Sequence, residues 1–244
     1  MSDLFSSTAT QYAPLAARMR PSTMAQYYGQ THLTGPDAPL GIAITQRQIH
    51  SMLLWGPPGT GKTTLAEIIA QETQAQFIRL SAVTCGVKDI REAMERAQLS
   101  SQTIIFVDEV HRFNKAQQDA FLPHIESGLI TFIGATTENP AFSCNNALLS
   151  RCRVYILNAL APDDIAQIVQ HALTHDPELM AQGIRISDDA LQALCKMVGG
   201  DARKALLFIE LAAGLTKDTC ITLAEIVQAA GSKMGQFDQQ GDHF

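Results

Sequence analysis

The run Gly56-Pro57-Pro58-Gly59-Thr60-Gly61-Lys62-Thr63 is a complete Gly-x-x-x-x-Gly-Lys-Thr phosphate-binding loop, and its flanks narrow the folds open to the chain. Before it lies the apolar, strand-like Ser51-Met52-Leu53-Leu54-Trp55; after it, Thr64 to Gln71 has helical apolar spacing. A strand, a glycine loop and a helix in that order form the unit on which the motif works. Gly56, Pro57, Pro58, Gly59, Thr60 and Gly61 let the backbone curl around an anion, with its N–H groups aimed at phosphates at the positive end of the helix. Lys62 then reaches the β- and γ-phosphates, Thr63 ligates Mg²⁺ and Thr64 closes the set. The motif therefore predicts binding of a nucleoside triphosphate with Mg²⁺.

Further apolar runs extend the pattern. Gln76–Leu80, Thr103–Val107 and Leu129–Gly134 read as strands, and they alternate with helical stretches such as Asp89–Gln98. Repeated βα units predict an α/β fold, a parallel sheet flanked by helices. Past Tyr155-Ile156-Leu157 the strand-like runs thin out, and from Pro162 to about Ala230 the spacing is helical. The expected organisation is a flexible tail over 1–13, a nucleotide-binding α/β core over 14–158, a small all-helical domain over 159–232 and a linker beginning at 233.

At 244 residues, with 46% apolar and 17% charged residues, the chain is long enough for a substantial core. It has no apolar run of the about 18 residues that a membrane span needs, and no signal or transit pattern, so a cytoplasmic protein is expected. Cys85, Cys144, Cys152, Cys195 and Cys220 form no Cys-x-x-Cys and have no histidine at zinc-ligand spacing; reduced, mostly buried thiols are expected. A net charge of −6 provides no global basic footprint, so contact with DNA would need local patches or assembly. Lys88, Arg91 and Arg96 could line such a surface, but Asp89, Glu92 and Glu95 interleave with them as on an ordinary solvated helix face.

The strand Thr103–Val107 ends in Asp108-Glu109, where a nucleotide-hydrolysing fold holds its metal and its attacking water. Asp108 is expected to support Mg²⁺, and Glu109 to orient or deprotonate water. Asp108-Glu109-Val110-His111 also spells the Asp-Glu-x-His signature of a superfamily 2 helicase, but the chain has no room for the second RecA-like domain that such a helicase needs. His111 stays open between a functional group and a solvated or loop-anchoring one.

With these runs in view, the chain resembles an AAA+ ATPase, and within that superfamily the replication-associated recombination protein A family, related to the Werner-helicase-interacting protein. The resemblance rests on Pro14–Pro21, Gly29–Leu33, His50–Ala66, Asp108–Asp119 and Gly134–Pro140, and extends from about residue 14 to the end. It implies an AAA+ P-loop NTPase core with a helical lid. By position, Thr137 (with Asn139 as the nearby alternative) falls at sensor 1. Arg151, within Leu148-Leu149-Ser150-Arg151-Cys152, falls at the arginine finger that serves a neighbouring subunit, and Arg203 at sensor 2. Tyr27-Tyr28-Gly29-Gln30 resembles the box over the adenine, with Tyr28 as the candidate contact. Met24-Ala25-Gln26-Tyr27 and Ser143-Cys144-Asn145 depart from the family pattern without touching a phosphate-binding position.

The resemblance implies an ATPase that acts on single-stranded or fork-ended DNA at stalled replication forks. It would be a nucleoid-associated homo-oligomer partnered by single-stranded-DNA-binding protein and the replication machinery. A nucleotide-gated adaptor that places partner proteins is the alternative. A protein-unfolding subunit is less favoured, since no aromatic-hydrophobic-Gly pore motif is evident. In this family the run Met234–Phe244 leads into a further helical domain for tetramer assembly, so the sequence reads as a core and lid cut before that domain.

Overall fold

The computed structural model describes residues 13–100 and 102–234. Of the expected tail over 1–13, residues 1–12 lie outside the described residues, as do 235–244 of the linker expected from 233; residues 233 and 234 belong to the helix Leu223–Met234. The chain divides into two compact units, one of residues 21–159 and one formed by the N-terminal segment together with the chain from Leu160.

In the first unit, five strands form one parallel sheet: β1 (Met52–Trp55), β2 (Gln76–Ser81), β3 (Thr103–Asp108), β4 (Thr131–Thr136) and β5 (Arg153–Ile156), in the order β2-β3-β4-β1-β5. The central strands are apolar throughout because helices cover both faces. Met52, Leu54, Ile104, Phe106, Ile133 and Ala135 point to the face covered by the helix Lys62–Glu72, where they meet Leu65 and Ile69. Leu53, Ile105, Val107 and Phe132 point to the other face, against Ile90 and Met94 of the helix Val87–Ala97. That second helix buries Ile90, Ala93, Met94 and Ala97 at three- and four-residue spacing and leaves Lys88, Arg91 and Arg96 exposed.

The helices, in chain order, are α1 (Leu15–Arg18), α2 (Thr31–Thr34), α3 (Pro39–Thr45), α4 (Lys62–Glu72), α5 (Val87–Ala97), α6 (Lys115–Asp119), α7 (Leu122–Glu126), α8 (Pro140–Ser143), α9 (Asn146–Leu149), α10 (Pro162–His175), α11 (Pro177–Ala181), α12 (Asp188–Val198), α13 (Ala202–Leu215) and α14 (Leu223–Met234). The second unit comprises α1 and α10–α14 around Ile165, Val169, Leu194, Phe208, Ile209 and Ile226. It also holds a two-residue parallel pair, β6 (Arg185–Ile186) and β7 (Cys220–Ile221), where an all-helical domain was expected; runs this short carry no periodicity. Residues 13–20 group here, whereas the sequence reading begins the α/β core at 14. The reason is packing: Leu15 is fully buried in the helical core, and Arg18 bonds both carboxylate oxygens of the buried Asp176 at 2.7 and 3.1 Å. No helix among the described residues is long and apolar enough to cross a membrane.

Candidate nucleotide site

In a parallel sheet all strands end on one edge, so residues far apart in sequence meet there. Gly56 follows β1, Asp108 ends β3 and Thr136 ends β4, on three adjacent strands; the Gly56 N–H donates to the Thr136 carbonyl at 3.2 Å. Gly56 has no room for a side chain, since a Cβ there would lie 2.2 Å from the Leu157 carbonyl oxygen. Gly61, with φ +90°, is the left-handed residue that starts α4. Lys62 Nζ donates to the Gly56 and Pro57 carbonyls at 2.8 and 2.7 Å, which puts the ammonium inside the curl of the loop. Thr60 is buried, and its hydroxyl donates to the Pro57 carbonyl at 2.9 Å, bracing the turn.

Tyr27 packs on this loop. Its hydroxyl lies 3.4 Å from both the Thr60 and Gly61 carbonyl oxygens, and a Cβ on Gly61 would meet its ring at 2.8 Å. Burial raises the Tyr27 phenol well above its ordinary range, so it stays a neutral donor. The candidate Tyr28 is partly buried beside it. Gln30, buried and left-handed, exchanges two hydrogen bonds with the backbone of Asn158 at 2.7 and 3.0 Å, tying this N-terminal box to the chain leaving β5.

Asp108 accepts a hydrogen bond from Arg79 of β2 at 3.0 Å, and Arg79 also lies 3.9 Å from Glu67. Glu109 has a left-handed backbone with φ 58°, uncommon for a side chain of this size. Its carboxylate lies 3.2 Å from His111 Nε2 and 3.4 Å from Arg112 Nε. His111 is not solvated: its side chain is 8% exposed, with Nδ1 2.9 Å from the hydroxyl of Thr136. Thr136 is buried, while the neighbouring Thr137 is exposed. Asn139 caps α8, its side chain accepting from Ala141 N–H at 3.0 Å.

The rest of the Asp108–Asp119 run braces this corner. Asn114 and Gln117 form a capping box at the start of α6, and Gln117 reaches the Cys85 carbonyl at 3.0 Å. Gln118, buried, donates to the Phe113 and Ser143 carbonyls and accepts from Asn145 N–H at 3.0, 3.2 and 2.8 Å. The stack of Phe113 on Phe121, and of Phe121 against Phe132, anchors the same segment to the sheet.

Arg151 lies elsewhere. It precedes Arg153, which pairs with Met52 at the start of β1, so it sits at the sheet edge opposite the phosphate loop. It is bonded to Glu126 through Nε (2.7 Å) and Nη2, and to the Ala147 carbonyl at 2.8 Å. Arg203 is exposed in the first turn of α13, whose cap Asp201 accepts from Lys204 N–H at 3.0 Å. All five cysteines are free thiols; burial pushes Cys152 up to about 12, which makes it unreactive.

The protein-family model for the ATPase family associated with various cellular activities (AAA) matches residues 52–160, and that for the AAA C-terminal domain matches residues 180–244. The chain is 50% identical to the replication-associated recombination protein A of Haemophilus influenzae over 98% of its own length and 56% of the relative's. It is 51% identical to the Escherichia coli protein of that name, over 96% of this chain and 54% of the relative. The chain belongs to the replication-associated recombination protein A family of AAA+ ATPases. It spans about half the length of these curated relatives. The fold agrees: the RuvB Holliday junction branch migration motor of Thermotoga maritima superposes with a TM-score of 0.74 at 26% identity, covering 88% of this chain and 72% of that one.

Arg79 and Glu126 are not signalled by the sequence, and Tyr27 and Thr136, though they lie in the runs quoted above, take there no role of their own. Each makes its contact with a residue remote in sequence, and only the sheet order or loop packing brings the partners together.

Proposed function

We propose that the chain hydrolyses ATP and that this turnover drives a replication and recombination maintenance factor acting on DNA at stalled forks. The observation carrying the proposal is the convergence of a phosphate loop, an Asp-Glu strand end and the polar tip of β4 on adjacent strands. A hydroxyl from Thr63 and a carboxylate from Asp108 are hard oxygen donors of the kind Mg²⁺ takes alongside phosphate and water. Held there, Mg²⁺ would withdraw charge from the β- and γ-phosphate oxygens.

Lys62, already inside the loop, would exchange its carbonyl contacts for the β- and γ-phosphates. Glu109 would orient a water in line with the γ-phosphorus and accept its proton as the bond to the ADP oxygen breaks. Arg79 would leave Asp108 as the metal takes its place, with Glu67 as its remaining acidic neighbour. Thr137 and Arg203 carry over from the family resemblance as phosphate-sensing groups, and Tyr28 as the adenine contact. Arg151 faces away from its own loop, which supports the reading that it completes a neighbouring chain's site, so that the active species is a homo-oligomer.

Two observations favour a second reading, an adaptor that places partner proteins. The net charge is −6, and Lys88 on the exposed face of α5 is paired with Glu92 at 3.4 Å. ATP turnover measured over a range of protein concentrations, with and without single-stranded and fork-ended DNA, separates the two. The DNA-directed ATPase requires specific activity to rise with both. Lys62→Ala is expected to weaken nucleotide binding, and Glu109→Gln to retain binding while reducing kcat by at least about 10²-fold; a fully active Glu109→Gln protein would overturn the assignment. Slow hydrolysis indifferent to DNA but responsive to a replication protein would favour the adaptor.

A further inference from the structure

We infer that His111 is a positioning residue that sets the Glu109 carboxylate against the tip of β4, an inference that rests on the reading of Glu109 as the water-orienting group. Glu109 follows the last residue of β3 in a left-handed conformation, so its backbone leaves the sheet at once and does not itself fix where the carboxylate points. The carboxylate is held by the exposed Arg112 Nε at 3.4 Å and, from the buried side, by the His111 imidazole at 3.2 Å on the same oxygen. The imidazole sits in the short turn Val110–Arg112, is nearly buried, and has both ring nitrogens engaged.

The donors and acceptors around the ring fix its tautomer. Nε2 faces Glu109 Oε2 at 3.2 Å and Glu138 Oε1 at 3.7 Å, and ionised carboxylates only accept, so Nε2 carries the hydrogen. In the neutral ring Nδ1 then accepts, and its donor is the Thr136 hydroxyl at 2.9 Å, a shorter contact than the 3.2 Å from that hydroxyl to the Glu138 carbonyl, the other acceptor for its one hydrogen. That hydroxyl in turn accepts from the Glu138 N–H at 3.0 Å, and the Thr136 carbonyl accepts from Gly56 at the head of the phosphate loop. One hydrogen-bonded chain thus runs from the phosphate loop through the end of β4 and the imidazole to Glu109. A histidine that merely anchored its loop would need only the Thr136 bond. The second nitrogen, turned toward two acids, is accounted for by orienting them.

The two ring nitrogens can be tested separately, because a glutamine amide reaches the place of Nε2 and an asparagine amide that of Nδ1. His111→Gln keeps the contact to Glu109, and His111→Asn keeps the contact to Thr136. With ATP and its Mg²⁺ complex, all variants should bind nucleotide as the wild type does. His111→Asn and His111→Ala should lose about 10- to 100-fold in kcat, the order expected for a misplaced reacting group, while His111→Gln stays within about 5-fold. Equal kcat for the glutamine and asparagine variants, or a wild-type rate for His111→Ala where Glu109→Gln is inactive, would overturn the inference. An active Glu109→Gln protein would instead overturn the reading beneath it.

Discussion

Arg18 and Asp176 stand 158 positions apart, yet their bidentate pair ties α1 into the helical unit. Burial alone would raise the Asp176 carboxyl. The hydrogen bond from Arg18, the N–H groups of Leu179 and Glu178 and the Arg18 charge outweigh it, and the folded carboxyl titrates below the ordinary range. Its stabilisation is therefore complete above the unfolded-chain value of about 3.9 and lost as pH falls through the lower folded value. Arg18→Ala strands a buried carboxylate and is expected to cost about 3 kcal/mol, whereas Glu178→Gln removes a half-exposed partner and should cost under about 1 kcal/mol. Urea titrations of each variant across pH 2 to 7 check this, and the Arg18→Ala profile should lose most of the acid dependence that Asp176 confers. Nothing in the sequence announces the pair. The phosphate loop, by contrast, is contiguous, so its chemistry can be read before any fold is known. Arg79 meets Asp108 only through the neighbouring positions of β2 and β3, a juxtaposition that no local spacing encodes.

The strands β1 and β3 are legible because burial on both faces demands apolar runs; β4 is legible as a strand but spans Thr131–Thr136 and not Leu129–Gly134, because its end carries the polar Thr136 that the apolar run does not include. β6 and β7, two residues each, offer no period to detect. The same contrast holds for the run Asp108–Asp119, whose residues the sequence displays without explaining most of them. In the structure Gln118 joins the segment after β3 to α8 and to the start of α9 through three backbone contacts. Gln118→Ala would leave the part-buried Asn145 N–H and the Phe113 and Ser143 carbonyls without that partner, for a loss of about 3 kcal/mol. A lowered urea midpoint for the α/β unit, with faster amide exchange at Asn145 than at β3, is the expected result. An unchanged midpoint would mean that water replaces the side chain and that Gln118 is not what holds α8 and α9 in place.

For the homo-oligomer proposed above, the decisive geometry is the separation of Lys62 from Arg151. Arg153 is level with Met52, and the phosphate loop begins after Trp55, so the two sites lie at opposite ends of a four-residue strand, about 13 Å of rise. An arginine at that edge has a carboxylate of its own chain, Glu126, as its partner, and that pair is partly exposed, so exchanging it for another anion is inexpensive. A head-to-tail neighbour would bring its Arg151 edge to the first chain's loop edge, and every site would then contain residues from two chains. Lys62→Ala and Arg151→Ala should each be inactive for different reasons, one lacking the cradle and the other the trans charge. Mixed in equal amounts, the two reconstitute a complete site wherever an Arg151→Ala chain with an intact loop receives Arg151 from a Lys62→Ala neighbour. Random association makes about a quarter of the sites complete, so the mixture should recover up to about 25% of the wild-type rate. Recovery should grow with total protein concentration and vanish on dilution. No recovery at concentrations where the wild-type rate has saturated would mean that Arg151 does not act across the interface, and its bond to Glu126 would then be its role in the native fold.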